Sequence, residues 1–269
     1  MTPIKVAFIL GDGYSGSTLL DLILGSHSRM TGLGEIDAES FDAFIGQDQL
    51  CTCLFRAREC HFWAKVLLRL RETTGGEAVR LGGTNGDAGG VTRRTVELFR
   101  AVRHVSGAEI LVDSSKLFER AHALAESSLV EPKVVHLVRD GRGVAFSHLK
   151  RGESFEQAVF HWLKKNAEVQ DWLKTEKAPD HILIKYEDLC ARPAETARRV
   201  CEFLGAEWEP QMMRFGQRVH HNVRGNTMRF LIKDSAVKLD EAWKEKLRAE
   251  DISLFEELAG TAARQFGYP

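Results

Sequence analysis

The stretch Gly11-Asp12-Gly13-Tyr14-Ser15-Gly16-Ser17-Thr18-Leu19-Leu20 decides how this chain is read. Before it runs Ile4-Lys5-Val6-Ala7-Phe8-Ile9-Leu10, an apolar segment with the length and β-branching of a buried strand. After it runs Leu19-Leu20-Asp21-Leu22-Ile23-Leu24, which reads as a buried helix. Strand, Gly-rich turn and helix together make an anion cradle. Backbone N–H groups of the turn and of the helix N-terminus converge, and the helix dipole favours negative charge there. The spacing Gly11-x-x-x-x-Gly16-Ser17-Thr18 is that of a nucleotide-phosphate loop, with Ser17 where a Lys would reach the β- and γ-phosphates. A triphosphate is therefore a poor fit and a smaller terminal phosphate a better one. The alternative is a Gly-rich turn that binds nothing.

Working outward, three more apolar runs read as buried parallel strands: Glu109–Val112, Lys133–Val138 and His181–Lys185. Helical patterns separate them, over Phe62–Glu72, Thr92–His104, Gly143–Arg151, Phe155–Thr175, Ala194–Leu204, Glu241–Ala249 and Ser253–Phe266. The expectation is an α/β protein: a P-loop-type parallel sheet flanked by helices. Residues 1–269 are expected to form one domain, with a helical and loop insertion at about 40–106. Within that insertion Gly75–Gly90 holds seven glycines and reads as a mobile surface loop.

Each chemically interesting segment follows a strand. Asp113-Ser114-Ser115-Lys116 follows the second, Arg139-Asp140-Gly141-Arg142 the third, and Tyr186-Glu187-Asp188 the fourth. In an open α/β sheet the ligand crevice lies off the carboxyl ends of the strands, so these segments should meet. Arg139 at a strand end can clamp a phosphate bidentately, and the Ser147 hydroxyl on the following helix can donate to the same group. Asp140 would oppose a phosphate and reads as a helix N-cap. Two separated anion sites in one crevice suggest a nucleotide phosphorylated at two places.

These segments, in this order, resemble the sulfotransferases that use 3′-phosphoadenosine 5′-phosphosulfate (PAPS). Tyr14-Ser15-Gly16-Ser17-Thr18-Leu19-Leu20 resembles their 5′-phosphosulfate loop, and Arg139-Asp140-Gly141-Arg142…Ser147 their 3′-phosphate segment. Ile184–Leu189, then Arg192-Pro193 and a helix ending Phe203-Leu204-Gly205, is also similar to the family. So is His221-Asn222-Val223-Arg224-Gly225-Asn226, a late loop that closes over the nucleotide in many members. The resemblance spans about Lys5–Asn226, is weak over Phe44–Ser106, and lies closest to the bacterial, carbohydrate and tyrosylprotein branches.

The resemblance implies transfer of a sulfuryl group from PAPS, leaving PAP, to a hydroxyl or amine. Tyr14, Ser15, Gly16, Ser17, Thr18, Arg139, Ser147, Tyr186, His221, Arg224, Gly225 and Asn226 would bind the donor. In-line transfer needs a base and positive charge at the leaving group. Gly34-Glu35 matches the Gly-Glu that supplies the base in tyrosylprotein-type members, and like charge nearby should raise the pKa of that carboxyl. Asp37 and Glu39 are neighbouring alternatives, and a surface Glu capping the next helix is the plainer one. Most relatives have Arg or Lys where this chain has Tyr14; Lys116, and after it Arg224, are the candidate replacements. A kinase would need the missing loop Lys and a Mg²⁺-binding acid such as Asp113. A protein that kept nucleotide binding and lost transfer is the non-enzymatic alternative.

Composition sets the remaining bounds. A formal net charge of −1 gives no broad nucleic-acid footprint. Lys5 and Asp12 bracket an apolar run with no cleavage site after it, so no secretory leader is expected, and no run is long enough to span a bilayer. Five cysteines, an odd number, fit a reducing cytoplasm. Cys51, Cys53, Cys60 and His61 are four zinc-ligand types, but Cys-x-Cys is cramped for a structural knuckle. Buried thiols or a local disulfide are expected there, and no metal is expected to serve transfer. The acceptor, a small molecule, carbohydrate or peptide, is not legible, nor is the oligomeric state.

Overall fold

Ile4, Val6, Phe8 and Leu10 belong to one apolar cluster, Ala7 and Ile9 to another. Side chains alternate across a strand, so this first strand is buried on both faces, as a parallel sheet between helix layers requires. The computed structural model describes residues 2–36, 38–74, 88–231 and 233–269. Within them five strands, β1 (Ile4–Leu10), β2 (Met30–Gly32), β3 (Ile110–Asp113), β4 (Val130–Val138) and β5 (His181–Lys185), form one parallel sheet in the order β2-β3-β1-β4-β5. The strand between β1 and β3 was not expected. Its three residues are too few to show alternation.

The helices are α1 (Ser17–Leu24), α2 (Ala38–Gly46), α3 (His61–Thr73), α4 (Ala88–Ser106), α5 (Phe118–Ala125), α6 (Gly141–Leu149), α7 (Phe155–Leu173), α8 (Tyr186–Ala191), α9 (Pro193–Leu204), α10 (Trp243–Lys246) and α11 (Ala249–Gln265). One sheet face carries Phe41, Phe44, Trp63 and Phe99 of α2–α4. The other carries Leu20 and Ile23 of α1 and Val200 of α9. A third cluster joins Val144, Trp162, Phe255 and Phe266 from α6, α7, α11 and the residue after it. The helix expected over Glu241–Ala249 stops at Lys246. Leu247 turns into the third cluster on extended backbone, and the Arg248 guanidinium bonds the Asp251 carboxylate to start α11. Of the Gly-rich stretch 75–90, residues 75–87 lie outside the described residues, and the remaining three open α4.

The strands on either side of β1 are β3 and β4, so the chain reverses its direction of travel across the sheet there. A crevice opens off the carboxyl end at such a point. Gly11 turns the chain out of β1 with φ 142°, where a Cβ would lie 2.2 Å from the Leu137 carbonyl oxygen of β4. Only glycine allows the loop to leave this close to its neighbour strand.

Candidate active site

A cleft of about 790 Å³ occupies this position. Its floor is the loop between β1 and α1. Gly16 is the N-cap of α1 in the left-handed region (φ 91°), with no side chain capping the helix. The first-turn N–H groups are thus available to an anion. A Cβ on Gly16 would lie 2.6 Å from the Tyr186 ring. Ser15 Oγ is buried within the loop and, among the described residues, has no hydrogen-bond partner. Both features fit a loop built to surround a phosphate.

The sequence-derived residues largely meet here. Tyr14, Gly16, Ser17, Thr18, Glu35, Lys116, Arg139, Ser147, Tyr186, Gly225 and Asn226 line the cleft. Arg139 is buried, with its guanidinium 4.5 Å from the centre of the Tyr186 ring. It donates to the carbonyls of Tyr14 (3.0 Å) and Asp240 (2.7 Å) and pairs with the Asp240 carboxylate at 3.3 Å. Burial pushes the Tyr186 phenol up to about 12. Ser147 Oγ donates to the Gly143 carbonyl within α6. Asp140 caps α6 by accepting from Arg142 N, as its sequence position indicates. Asn226 N donates to Thr18 Oγ1 at 3.1 Å, which stitches the late loop to the phosphate loop.

At the opposite wall Lys116 Nζ donates to Glu35 Oε1 at 2.6 Å and to the Ser114 carbonyl at 3.1 Å. Lys116 has φ 63°, a conformation rarely adopted by a long side chain and one that points to a held position. Asp37 lies outside the described residues, as does the side chain of Glu39. Asp113, the acid a kinase would need, is buried and paired to Arg120.

Two expected donor-binding residues are elsewhere. Arg224 is exposed and His221 faces a group of cysteines; neither lines the cleft. The cleft also contains residues that sequence spacing did not single out: His148, Lys150, Arg151, Lys238 and Asp240. The Arg151 guanidinium lies 5.4 Å from the Tyr14 ring, which also meets the His148 edge at 4.7 Å. A cation therefore stands beside Tyr14 after all, brought by the end of α6. Asp12, His148 and His161 gather there too, with Asp12 Oδ1 2.8 Å from His161 Nδ1, and this contact raises the His161 pKa. Five cations against two carboxylates line the cleft, an excess suited to a polyanion.

Buried Asp21 braces the cleft from behind. Its carboxyl accepts from Ser114 Oγ (2.8 Å), Gly34 N (3.1 Å) and Asn222 Nδ2. Desolvation pushes its pKa up to about 7 despite these bonds.

Comparison with known proteins identifies the family of the chain. Residues 7–210 match the profile of the sulfotransferase family. Carbohydrate sulfotransferase 1 of Danio rerio is 26% identical over 180 residues, 54% of this chain and 40% of that protein. Carbohydrate sulfotransferase 2 of Mus musculus is 27% identical over 99 residues, 36% of this chain and 18% of that protein. The chain thus spans less than half the length of these relatives. Among solved structures, the sulfotransferase domain of the Synechococcus PCC 7002 olefin synthase superposes with TM-score 0.59 at 19% identity, covering 96% of this chain and 95% of that one. The sulfotransferase domain from the curacin biosynthetic pathway does so with TM-score 0.60 at 18% identity, over 100% and 99%. At these identities the structural likeness concerns the fold.

Proposed function

The chain belongs to the sulfotransferase family, and from that premise we propose that it transfers a sulfuryl group from PAPS to the hydroxyl or amine of a small-molecule, carbohydrate or peptide acceptor. One observation carries the reading: the phosphate loop, the Arg139–Tyr186 pair and the Glu35–Lys116 pair share one cationic cleft. When bound, PAPS supplies a sulfuryl group already activated by a phosphate leaving group. The Gly16–Thr18 backbone N–H groups and the Ser15, Ser17 and Thr18 hydroxyls hold the 5′-phosphate. Arg139, Ser147 and Lys150 hold the 3′-phosphate, and Tyr186 packs on the nucleotide side. Gly225 and Asn226 close the late loop over Thr18.

Glu35 takes the proton of the acceptor. Lys116 Nζ orients that carboxylate and places a positive charge where the transferring oxygens develop negative charge. Arg151 beside Tyr14 supplies the cation that relatives carry in the loop itself. The absent loop Lys and the paired Asp113 count against phosphoryl transfer from ATP. Among the described residues no helix is long and apolar enough to cross a membrane. An odd number of cysteines supports a cytoplasmic setting.

The test is calorimetric titration with PAP, set against ADP and against ATP with Mg²⁺. PAP should bind, ATP should not, and Arg139→Ala should weaken PAP by about 10–100-fold, the worth of a charge-assisted contact. ATP binding without a PAP signal overturns the reading.

A further inference from the structure

Three cysteines and a histidine, drawn from three places in the chain, meet beside the late loop. Cys51 and Cys53 lie on a tight turn closed by Cys51 N donating to Phe55 O (2.9 Å) and Leu54 N to Cys51 O (2.9 Å), with Leu54 at φ 70°. Cys60 is the N-cap of α3, where the helix dipole favours a thiolate. His221 comes from the late loop, and its ring stacks on Phe62 at 4.7 Å, nearly parallel. Its backbone carbonyl accepts from Trp63 Nε1 at 2.8 Å. His61, the histidine adjacent in sequence, is exposed on the first turn of α3 and is not part of the group.

The four ligand atoms all lie within 4.8 Å of one another. Cys60 Sγ is 3.5 Å from Cys53 Sγ and 3.7 Å from Cys51 Sγ. His221 Nδ1 is 3.3 Å from Cys60 Sγ and 3.8 Å from Cys51 Sγ. Zinc bonds of about 2.3 Å to sulfur and about 2.0–2.1 Å to nitrogen, arranged tetrahedrally, give edges of about 3.8 Å between sulfurs and about 3.5 Å between sulfur and nitrogen. The four observed edges lie close to those values, and the other two are no longer than 4.8 Å. A disulfide would need two sulfurs at about 2.05 Å and would leave the third thiol over; all three cysteines are free. Thiols are weak hydrogen-bond partners, so mutual hydrogen bonding is a poor reason to collect three of them and an imidazole in a largely buried place.

We propose that Cys51, Cys53, Cys60 and His221 form a structural zinc site that anchors the late loop to the segment 51–63. Three thiolates and one neutral imidazole are the donor set of closed, four-coordinate zinc, with no position open for catalysis. Binding displaces the remaining thiol protons and uses the lone pair of His221 Nδ1, leaving the imidazole proton on Nε2. The structural consequence runs along the loop. Past His221, Asn222 Nδ2 donates to Asp21, Val223 N donates to Leu33 O (2.9 Å), and Glu35 N donates to Val223 O (2.7 Å). Asn226 N then reaches Thr18. The metal pins the end of a strap whose other contacts are the candidate base and the phosphate loop. This places His221 in positioning the loop rather than in touching the nucleotide. It also replaces His61 as the fourth ligand type considered from sequence, and it stands independently of the identity of the sulfuryl donor.

The test is metal analysis of the full chain purified without chelator or added metal. One zinc per chain is expected. Chelated protein titrated with cobalt(II) should show the thiolate-to-cobalt absorption and intense visible bands of a tetrahedral site. Cys53→Ser and His221→Ala should each weaken zinc binding by at least about 100-fold, more than loss of an outer partner costs, while His61→Ala retains it. The cobalt titration uses the unaltered chain and so does not depend on any variant folding. Zinc near zero with all three thiols reduced and no tetrahedral cobalt spectrum overturns the proposal. So does a Cys53–Cys60 or Cys51–Cys60 disulfide in a peptide map, iron or copper filling the cluster in place of zinc, or metal lost in His61→Ala and kept in His221→Ala.

Discussion

The two walls of the cleft are built in different ways. On the side proposed for the nucleotide, the main groups hang from strand ends: the loop from β1, Arg139 from β4, Tyr186 from β5. On the side proposed for the acceptor, Glu35 is placed by contacts that cross the chain, through the bridge between Gly34 and Val223 and the ion pair to Lys116. The first wall is preorganised by local strand–turn–helix geometry. The second is held by a web whose members are far apart in sequence. Damage to the first should therefore appear in donor affinity, and damage to the second in turnover.

The strongest break of that division is Glu35→Gln. Turnover should fall by about 10²–10⁴-fold, the range for loss of a general base, with PAP affinity unchanged. Single-turnover kinetics beside calorimetry measures both, and a Gln variant with normal turnover removes Glu35 from the chemistry. Lys116→Ala should show the same split, with turnover lowered far more than PAP binding.

The next effect concerns Asp21, which ties both walls together. An unfolded Asp releases its proton near pH 4, while the folded one holds it to about 7. Between these values the folded state binds more protons, so stability should fall as pH rises from about 4 to about 7 and be flat above. The fall is on the order of a few kcal/mol at most. Asp21→Asn should flatten it in denaturant melts across that range; an unchanged slope assigns the pH dependence elsewhere.

On the nucleotide wall, Gly16→Ala forces a side chain into a left-handed conformation and against Tyr186. It should cost about 1–3 kcal/mol of stability and weaken PAP binding at the same time, read by thermal melts and titration. The smallest effect is expected from Asp240→Asn. The Asp240 carboxylate pairs with Arg139 and lies 3.7 Å from Lys150, competing with a phosphate for both. Its loss should tighten PAP by a few-fold, and weaker binding would make Asp240 a support for Arg139 rather than a competitor.

The same division explains what could be read from the sequence. The four expected strands are all present, and the phosphate loop, Arg139 and Tyr186 meet in one cleft, because period, apolar run length and the residue after a strand are local signals. Lys116 was legible as part of a segment after a strand, but its role and that of Glu35 came through a family resemblance, since nothing local says that residues 81 apart will pair. Arg151 had no signal: it stands beside Tyr14 only because α6 packs where it does. His221 was legible as part of the late loop but not as a neighbour of Cys60, 161 positions earlier. Its sequence neighbourhood carries no cysteine, and the Cys-x-Cys turn pointed to His61 instead.

The bridge between Gly34 and Val223 has a consequence for the order of events in a catalytic cycle. The strap that crosses the phosphate loop at Asn226 is the same strap whose Val223 carbonyl holds Glu35 N. In the proposed cycle, a strap that moves away from Thr18 to release PAP would also pull on the backbone of Glu35. On that proposal, product departure and withdrawal of Glu35 are coupled, and the cleft would take a proton only while the donor is bound.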